Sequence, residues 1–317
     1  MKVLVTGGAG FIGRWVVKRL LEGDHIVYVL DNLSNGSIEN LEEFDSGNLK
    51  DVIVGDIKDR KGISRLFKKV EFDIIIHLAA NVVVQDSIDK PRKVFESDVI
   101  GTFNLLEEAR KHNIKFVFVS SCMVYDTAIA YGAISETHPT KAASPYAATK
   151  LANESLVQAY HISYNLPTVI LRPFNTYGQY QKTTGEGGVV SIFIKQDITG
   201  GTLKIYGDGM QTRDLMHVED CAEFIVDAAL DPCAVGEIIN GGYGEDISIN
   251  RLAALICKDS FNRIKHVNHI HPQSEIPKLR CDRSKAKRLL GWEPRISLEE
   301  GIKQTRDFIC SKPEKTR

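Results

Sequence analysis

The chain has 317 residues, 43% of them hydrophobic and 26% charged, which is enough apolar material for one large domain or two unequal ones. Its 40 Lys and Arg nearly balance 41 Asp and Glu, so whole-molecule charge gives no case for a nucleic acid or a membrane surface as partner. No apolar run reaches the roughly 18 residues of a membrane span, the first strand begins too early for a signal peptide, and six scattered cysteines form no C-x-x-C pair, so a reducing, cytoplasmic setting is expected.

The predicted elements alternate in chain order. A strand over 2–6 (KVLVT) leads to a helix over 11–23, a strand over 25–30 (HIVYVL), and a strand over 51–55 (DVIVG). A helix over 59–70, a strand over 73–77 (DIIIH), a helix over 94–112 and a strand over 115–120 (KFVFVS) follow, then a helix over 146–164 and a strand over 168–172 (TVILR). The strands are short runs of branched residues between turn or charged residues, as strands buried on both faces should be. The order predicts an α/β protein with a doubly wound, Rossmann-type parallel sheet over 1–173. Beyond 173 the pattern is irregular, with glycine turns at GEGG, GDG and GGYG. Residues 174–210 and 241–317 are expected to form a smaller substrate-binding lobe, with a return to the sheet at about 211–240.

The stretch TGGAGFIG (6–13) sets Gly7, Gly10 and Gly13 between a strand and a helix. Glycine there allows a tight turn and the close approach of a pyrophosphate to the helix N-terminus. Asp31 ends the next strand, where a carboxylate accepts both adenosine ribose hydroxyls and would repel a 2'-phosphate, so NAD is expected rather than NADP. Asp56 either meets the adenine amino group or is an ordinary turn carboxylate. In SPYAATK, Tyr146 and Lys150 are four residues apart and share a helix face. An ammonium beside a phenol favours the phenolate, and cationic nicotinamide acts in the same sense.

Together TGGAGFIG, HLAA (77–80), GTFNLLEEAR, the Ser-Ser before VY, SPYAATK, LRPFNTYG (171–178), IYGDGMQTRDLMHVED and LLGWEP (289–294) cover nearly the whole chain. In these motifs it resembles the extended short-chain dehydrogenase/reductases that modify nucleotide sugars. The resemblance implies that Ser121 hydrogen-bonds the sugar oxygen being oxidised, that Tyr146 removes its proton, and that Lys150 holds the nicotinamide ribose. It also implies NAD contacts from Phe11, Ile12, Asn32, Ile57, Leu78, Ala79 and Ala80. For the nucleotide sugar it implies Cys122, Met123, Asn175, Val189, Tyr206 and Arg213, the last on phosphate, unless Arg213 is simply paired with Asp214.

Cys122 and Met123 occupy the two positions where similar 4,6-dehydratases carry Asp and Glu. UDP-galactose 4-epimerases usually have small uncharged residues there, which Cys122 matches and bulky Met123 does not. A 4-epimerase acting on a UDP-hexose is therefore expected, through a 4-keto sugar; a dehydratase or decarboxylase sharing that intermediate is the alternative. Two other departures stand out. Asp98 replaces the family's usual Asn, and HPQSE (271–275) replaces an Arg-Pro-Gly-Asp pattern, leaving a second phosphate contact to His271 or Arg280 or to nothing. A non-catalytic dinucleotide sensor is a separate possibility, but it would not need Ser121, Tyr146 and Lys150. His266, His269 and His271 lack the partners of a recognisable zinc motif, so no metal is expected. Helices near 91–112 and 146–164 resemble those that pair across a two-fold axis in the family, implying a homodimer, although their apolar faces equally suit packing within one chain.

Overall fold

The computed structural model describes residues 1–311 except 45–46, 83, 129–131, 186–187, 258–260 and 270–271, and omits the side chain of residue 261. The main sheet begins with β1 (Lys2–Thr6), α1 (Phe11–Glu22), β2 (Ile26–Asp31), β3 (Leu49–Val54), α2 (Arg60–Lys69) and β4 (Ile74–His77). It continues through α3 (Val84–Asp89), α4 (Pro91–Phe95), α5 (Gly101–His112), β5 (Lys115–Val119), α6 (Pro145–Tyr164) and β6 (Thr168–Pro173). The lobe follows as β7 (Asn175–Tyr177), α7 (Val189–Ile198), β8 (Leu203–Tyr206) and β9 (Thr212–His217). The chain then returns through α8 (Val218–Leu230) and β10 (Ile238–Gly241), and ends with β11 (Asp246–Ser248), α9 (Ile249–Cys257), β12 (Ile264–Val267), α10 (Ser284–Leu290) and α11 (Leu298–Ser311).

Seven strands form one parallel sheet in the order β10-β6-β5-β4-β1-β2-β3. Side chains alternate across it. Val3, Val5, Val27, Val29, Ile74, Ile76, Val117 and Val119 face α1 and α8, while Leu4, Ile75, Phe116, Phe118 and Ile170 face α2, α5 and α6. Full burial of each such side chain is worth roughly 1.5–3 kcal/mol. The edge strand β3 departs from the expectation of two buried faces: Lys50, Asp51 and Val54 are exposed. Two further sheets build the lobe, β11-β9-β7 and the parallel pair β12-β8.

Local chemistry sets the ends of the site-bearing helices. Ser144 caps α6 by accepting the Ala147 N–H at 3.2 Å, with Pro145 in the first turn, and Asn165 ends the helix in the left-handed region at φ +55°. The continuous helix expected over 94–112 is instead α4 and α5 joined by a π turn at Glu96–Ile100. This wide turn lifts Asp98 inward, and such insertions recur at functional sites. The seventh strand, β10, has too few residues to stand out from the irregular sequence around it.

Candidate active site

At the carboxyl ends of the strands, Gly7 has φ +73° and a Cβ there would lie 2.8 Å from the Ala79 N. A Cβ on Gly13 would come within 2.1 Å of the Gly7 carbonyl oxygen. A side chain at Gly7 would push against the Leu78–Ala79 backbone and one at Gly13 would force α1 away from the turn, so the cradle needs both glycines. Ala79 and Leu78 are tied to β1, their N–H groups donating to Thr6 Oγ1 at 3.3 Å and Thr6 O at 3.1 Å. Ala80 follows them, half-buried, and Phe11 and Ile12 pack on the sheet core. Asp31 is buried, its two carboxylate oxygens accepting Ala9 N at 3.0 Å and Leu33 N at 2.8 Å. A carboxylate fixed beside a glycine turn and the first turn of a helix fits an adenosine ribose and a diphosphate. Asn32 makes a local turn with Ser34 N at 3.0 Å, and Ile57 is buried beneath Asn104. Asp56 behaves as a turn carboxylate, accepting Lys58 N at 2.9 Å.

A strap that the motifs do not announce crosses this cradle. Ser37 N and Asn40 Nδ2 both donate to Ala9 O, at 3.1 and 2.8 Å. The Arg14 guanidinium, almost wholly buried, lies 3.6 Å from the Tyr180 ring centre and pairs with Glu43. Lys182 Nζ donates to Asn35 Oδ1 at 2.6 Å. The only sequence signal for this was an arginine within an otherwise apolar helix face.

The expected catalytic side chains converge at the end of β5. Tyr146 and Lys150 are buried on one face of α6, with Lys150 Nζ 5.8 Å from the Tyr146 ring centre. The ammonium donates to Val119 O at 2.9 Å. Ser121 is half-buried, accepts Met123 N at 3.2 Å through its hydroxyl, and hydrogen-bonds the Tyr146 phenol. The phenol differs from the sequence expectation: burial holds it above its ordinary range, with Asp98 and Cys122 adding to the rise and the Ser121 hydrogen bond opposing it. Burial likewise lowers Lys150, against Asp98 and Glu154, which raise it.

Cys122 is buried among Val124, Phe174, Ile276 and Leu279, and burial pushes its thiol up to about 12. Met123 is half-buried at the edge of the same cluster. Behind this wall, Ser120 Oγ donates to Glu154 Oε1 at 2.5 Å, and Arg172 binds Glu154 through two hydrogen bonds of 2.9 and 2.5 Å. Arg172 also donates to the Tyr125 hydroxyl at 2.8 Å, which donates to Asn240 Oδ1 at 2.7 Å.

In the lobe, Asn175 opens β7 with its Oδ1 buried and unpartnered, Val189 opens α7, and Tyr206 is 45% exposed, edge-on to His269. Arg213 does not pair with Asp214. It binds Glu275 and donates to Ile276 O at 2.9 Å, while buried Asp214 accepts N–H groups from Tyr243, Gly244 and Cys281. Arg280 donates to Gly244 O at 3.0 Å, and His271 lies outside the described residues. His266 meets Asn250 at 2.9 Å and His269 meets Glu275 at 2.6 Å. Among the described residues no three His, Cys, Asp or Glu side chains are grouped to hold a metal.

A family model described as GDP-mannose 4,6 dehydratase matches residues 4–305. The chain belongs to the extended short-chain dehydrogenase/reductases of the nucleotide-sugar epimerase and dehydratase family. Within that family it is 36% identical to the UDP-glucose 4-epimerase of Mycolicibacterium smegmatis, across 99% of this chain and 100% of that one. The X-ray structure of Pal from Bacillus thuringiensis shares 57% identity and a TM-score of 0.97, covering 98% and 99% of the two chains. The Thermus thermophilus UDP-glucose 4-epimerase, solved in complex with NAD, shares 32% identity and a TM-score of 0.89, covering 98% and 99%. The family is NAD-dependent, and the glycine cradle with Asp31 fits that cofactor.

Proposed function

We propose that this family member is an NAD-dependent nucleotide-sugar 4-epimerase acting on a UDP-hexose, either UDP-glucose/galactose or the N-acetyl forms. One observation carries the choice of reaction. Ser121, Tyr146 and Lys150 converge, but the two positions beside them hold a thiol kept protonated by burial and a thioether. Elimination across C5 and C6 needs a base for one proton and an acid for a departing hydroxyl. A protonated thiol and a thioether supply no base at neutral pH, whereas epimerisation needs none beyond Tyr146.

In this reading Ser121 donates to the sugar O4 and holds it against Tyr146, which takes the O4 proton as the phenolate. Lys150 keeps positive charge beside the phenol and orients the nicotinamide ribose. NAD, when bound, supplies the acceptor for the C4 hydride and the means of its return. Gly7, Gly10, Phe11, Ile12 and Gly13 cradle its diphosphate, with Asp31, Asn32, Asp56 and Ile57 toward the adenosine end and Leu78, Ala79 and Ala80 along the pyrophosphate. Asn175, with its unpartnered Oδ1, and Arg213, with its guanidinium fixed by Glu275, are assigned to the substrate diphosphate, Val189 and Tyr206 to the base, and Cys122 and Met123 to the sugar wall.

The second reading, an NDP-sugar 4,6- or 5,6-dehydratase or a decarboxylase, shares the 4-keto step and draws on the Cys122 thiol as a proton donor. Six free cysteines support a cytoplasmic location, and exposed apolar side chains on α4–α6 support a homodimer. Proton NMR of the enzyme with NAD and UDP-glucose or UDP-N-acetylglucosamine in D2O tests the reaction. The C4 epimer should form with no deuterium at C4 or C5. Deuterium at C5, or loss of water with a lasting ketone, overturns the epimerase in favour of the second reading.

A further inference from the structure

Arg14 puts a charge inside the apolar face of α1, 1% exposed, in the helix that begins at the glycine turn. A guanidinium buried that deeply is costly unless its donors and its charge are met. They are met by two segments remote in the chain. From the strap, residues 33–44, Asn40 O accepts Arg14 Nε at 3.0 Å and Glu43 accepts Nη2. From the lobe, the Tyr180 ring lies against the guanidinium at 3.6 Å, with Trp15 and Phe44 at 4.7 and 5.1 Å. Tyr180 takes a left-handed backbone, φ +68°, which an aromatic residue holds only where its neighbours fix it. Those neighbours include Phe308 of α11, with ring centres 4.5 Å apart, and Glu43, which accepts from the Tyr180 hydroxyl at 3.4 Å.

The strap that Arg14 holds lies directly on the glycine turn. Ala9 is gripped on both sides: its N–H donates to Asp31 Oδ2 at 3.0 Å, and its carbonyl accepts Ser37 N at 3.1 Å and Asn40 Nδ2 at 2.8 Å. The contact is so close that a Cβ on Gly36 would lie 2.6 Å from Ala9 O and 2.9 Å from Gly10 N. Asn40 works at both ends, its side chain on the turn and its carbonyl on Arg14. Lys182, two residues after Tyr180, adds a second tie from the lobe through Asn35. Because the strap begins two residues after Asp31, a dinucleotide with its ribose on that carboxylate has the strap along its adenosine side.

We propose that Arg14 is a positioning residue for the cofactor: buried beneath the strap and clamped by Tyr180, it holds residues 33–44 down on the glycine turn and slows the release of NAD. Cofactor retention is thereby tied to the substrate lobe. This role depends on NAD binding at the cradle, whichever reaction follows on the sugar. A lost hydrogen bond to a charged group corresponds to roughly 10- to 100-fold in an equilibrium, which sets the size of the effect.

The test loads the enzyme with the fluorescent etheno-adenine analogue of NAD and chases it with excess NAD, so that the signal gives the exchange rate. Arg14→Met should quicken exchange roughly 10- to 100-fold, with Arg14→Lys, which keeps the charge but not the planar fork, in between. Asn40→Ala keeps the main-chain bond to Arg14 and removes only the side chain from Ala9; it should quicken exchange too, and so should Tyr180→Leu from the lobe side. Wild-type exchange in folded Arg14→Met, or in Asn40→Ala should Arg14→Met not fold, overturns the proposal. Wild-type exchange in Tyr180→Leu overturns the tie to the lobe. A second readout separates holding the cofactor from holding the fold. A bound ligand raises Tm according to its affinity, so the gap in Tm between NAD-loaded and NAD-stripped protein should narrow in Arg14→Met and in Asn40→Ala. An equal loss of Tm in both forms makes Arg14 merely structural and overturns the proposal. No gap in the wild type overturns the cofactor site itself, and the role of Arg14 with it.

Discussion

Ser120, Ser121, Cys122, Met123 and Tyr125 are five side chains in a row of six that divide between a buried ion pair, the Tyr146 phenol and one apolar cluster. Ser120 turns back into the buried Glu154–Arg172 pair, Ser121 turns out toward Tyr146, Cys122 is sealed in an apolar cluster, and Tyr125 spans Arg172 and Asn240. If Tyr146 is the base, Tyr146→Phe should lower turnover by about 10³-fold or more while calorimetry finds nucleotide-sugar affinity largely intact; undiminished turnover removes that role. The shared face of Tyr146 and Lys150 was legible in the sequence because one helix carries both; Ser121 was legible only through the resemblance to the family. The partners of Tyr125 were not, because Asn240 lies 115 residues away and only the fold brings it near. Asp31 could be read from its position after a strand. The pairing of Arg213 with Glu275 rather than its neighbour Asp214 could not, since adjacent residues in a strand point to opposite faces.

Helix α6 does more than carry the two proposed catalytic groups. Tyr146, Lys150 and Glu154 fall four residues apart on its buried face, so one rigid element spans the phenol, the ammonium and the ion pair that anchors the strand end behind Ser121. Arg172→Met would strand the Glu154 charge in the interior and should cost about 3–5 kcal/mol, read as denaturant midpoint. Adding Glu154→Leu should recover much of the loss, because a buried pair replaced as a unit leaves no orphan charge. A single variant as stable as the wild type would mean that Glu154 is neutral in the fold. The helix itself was readable from its period, and the structure starts it at Pro145 with Ser144 as its cap. The π turn before α5 was not, because an extra residue in a helical turn leaves no periodic trace over so short a span.

At the scale of the molecule, the outward surface of α4 to α6 is unusual in exposing Phe95, Ile100, Phe103 and Ile162, the last 81% accessible. Exposed large apolar groups on α4, the π turn, α5 and α6 are what the proposed homodimer would bury. Sedimentation should give twice the 35.3 kDa of one chain, and Ile162→Glu with Phe103→Glu should give the monomer; a wild-type monomer at micromolar concentration removes the homodimer. No helix among the described residues is long and apolar enough to cross a membrane.

The path of the chain limits how this protein can move. It leaves the main sheet after β6, comes back through α8 to lay β10 beside β6, and leaves again after Gly241. The lobe is therefore stitched to the sheet by three passes of backbone, with the Asn35–Lys182 contact as a fourth tie across the cofactor cradle. In the proposed epimerase, the sugar that turns over between two half-reactions would do so between a sheet and a lobe joined by three crossings of one chain.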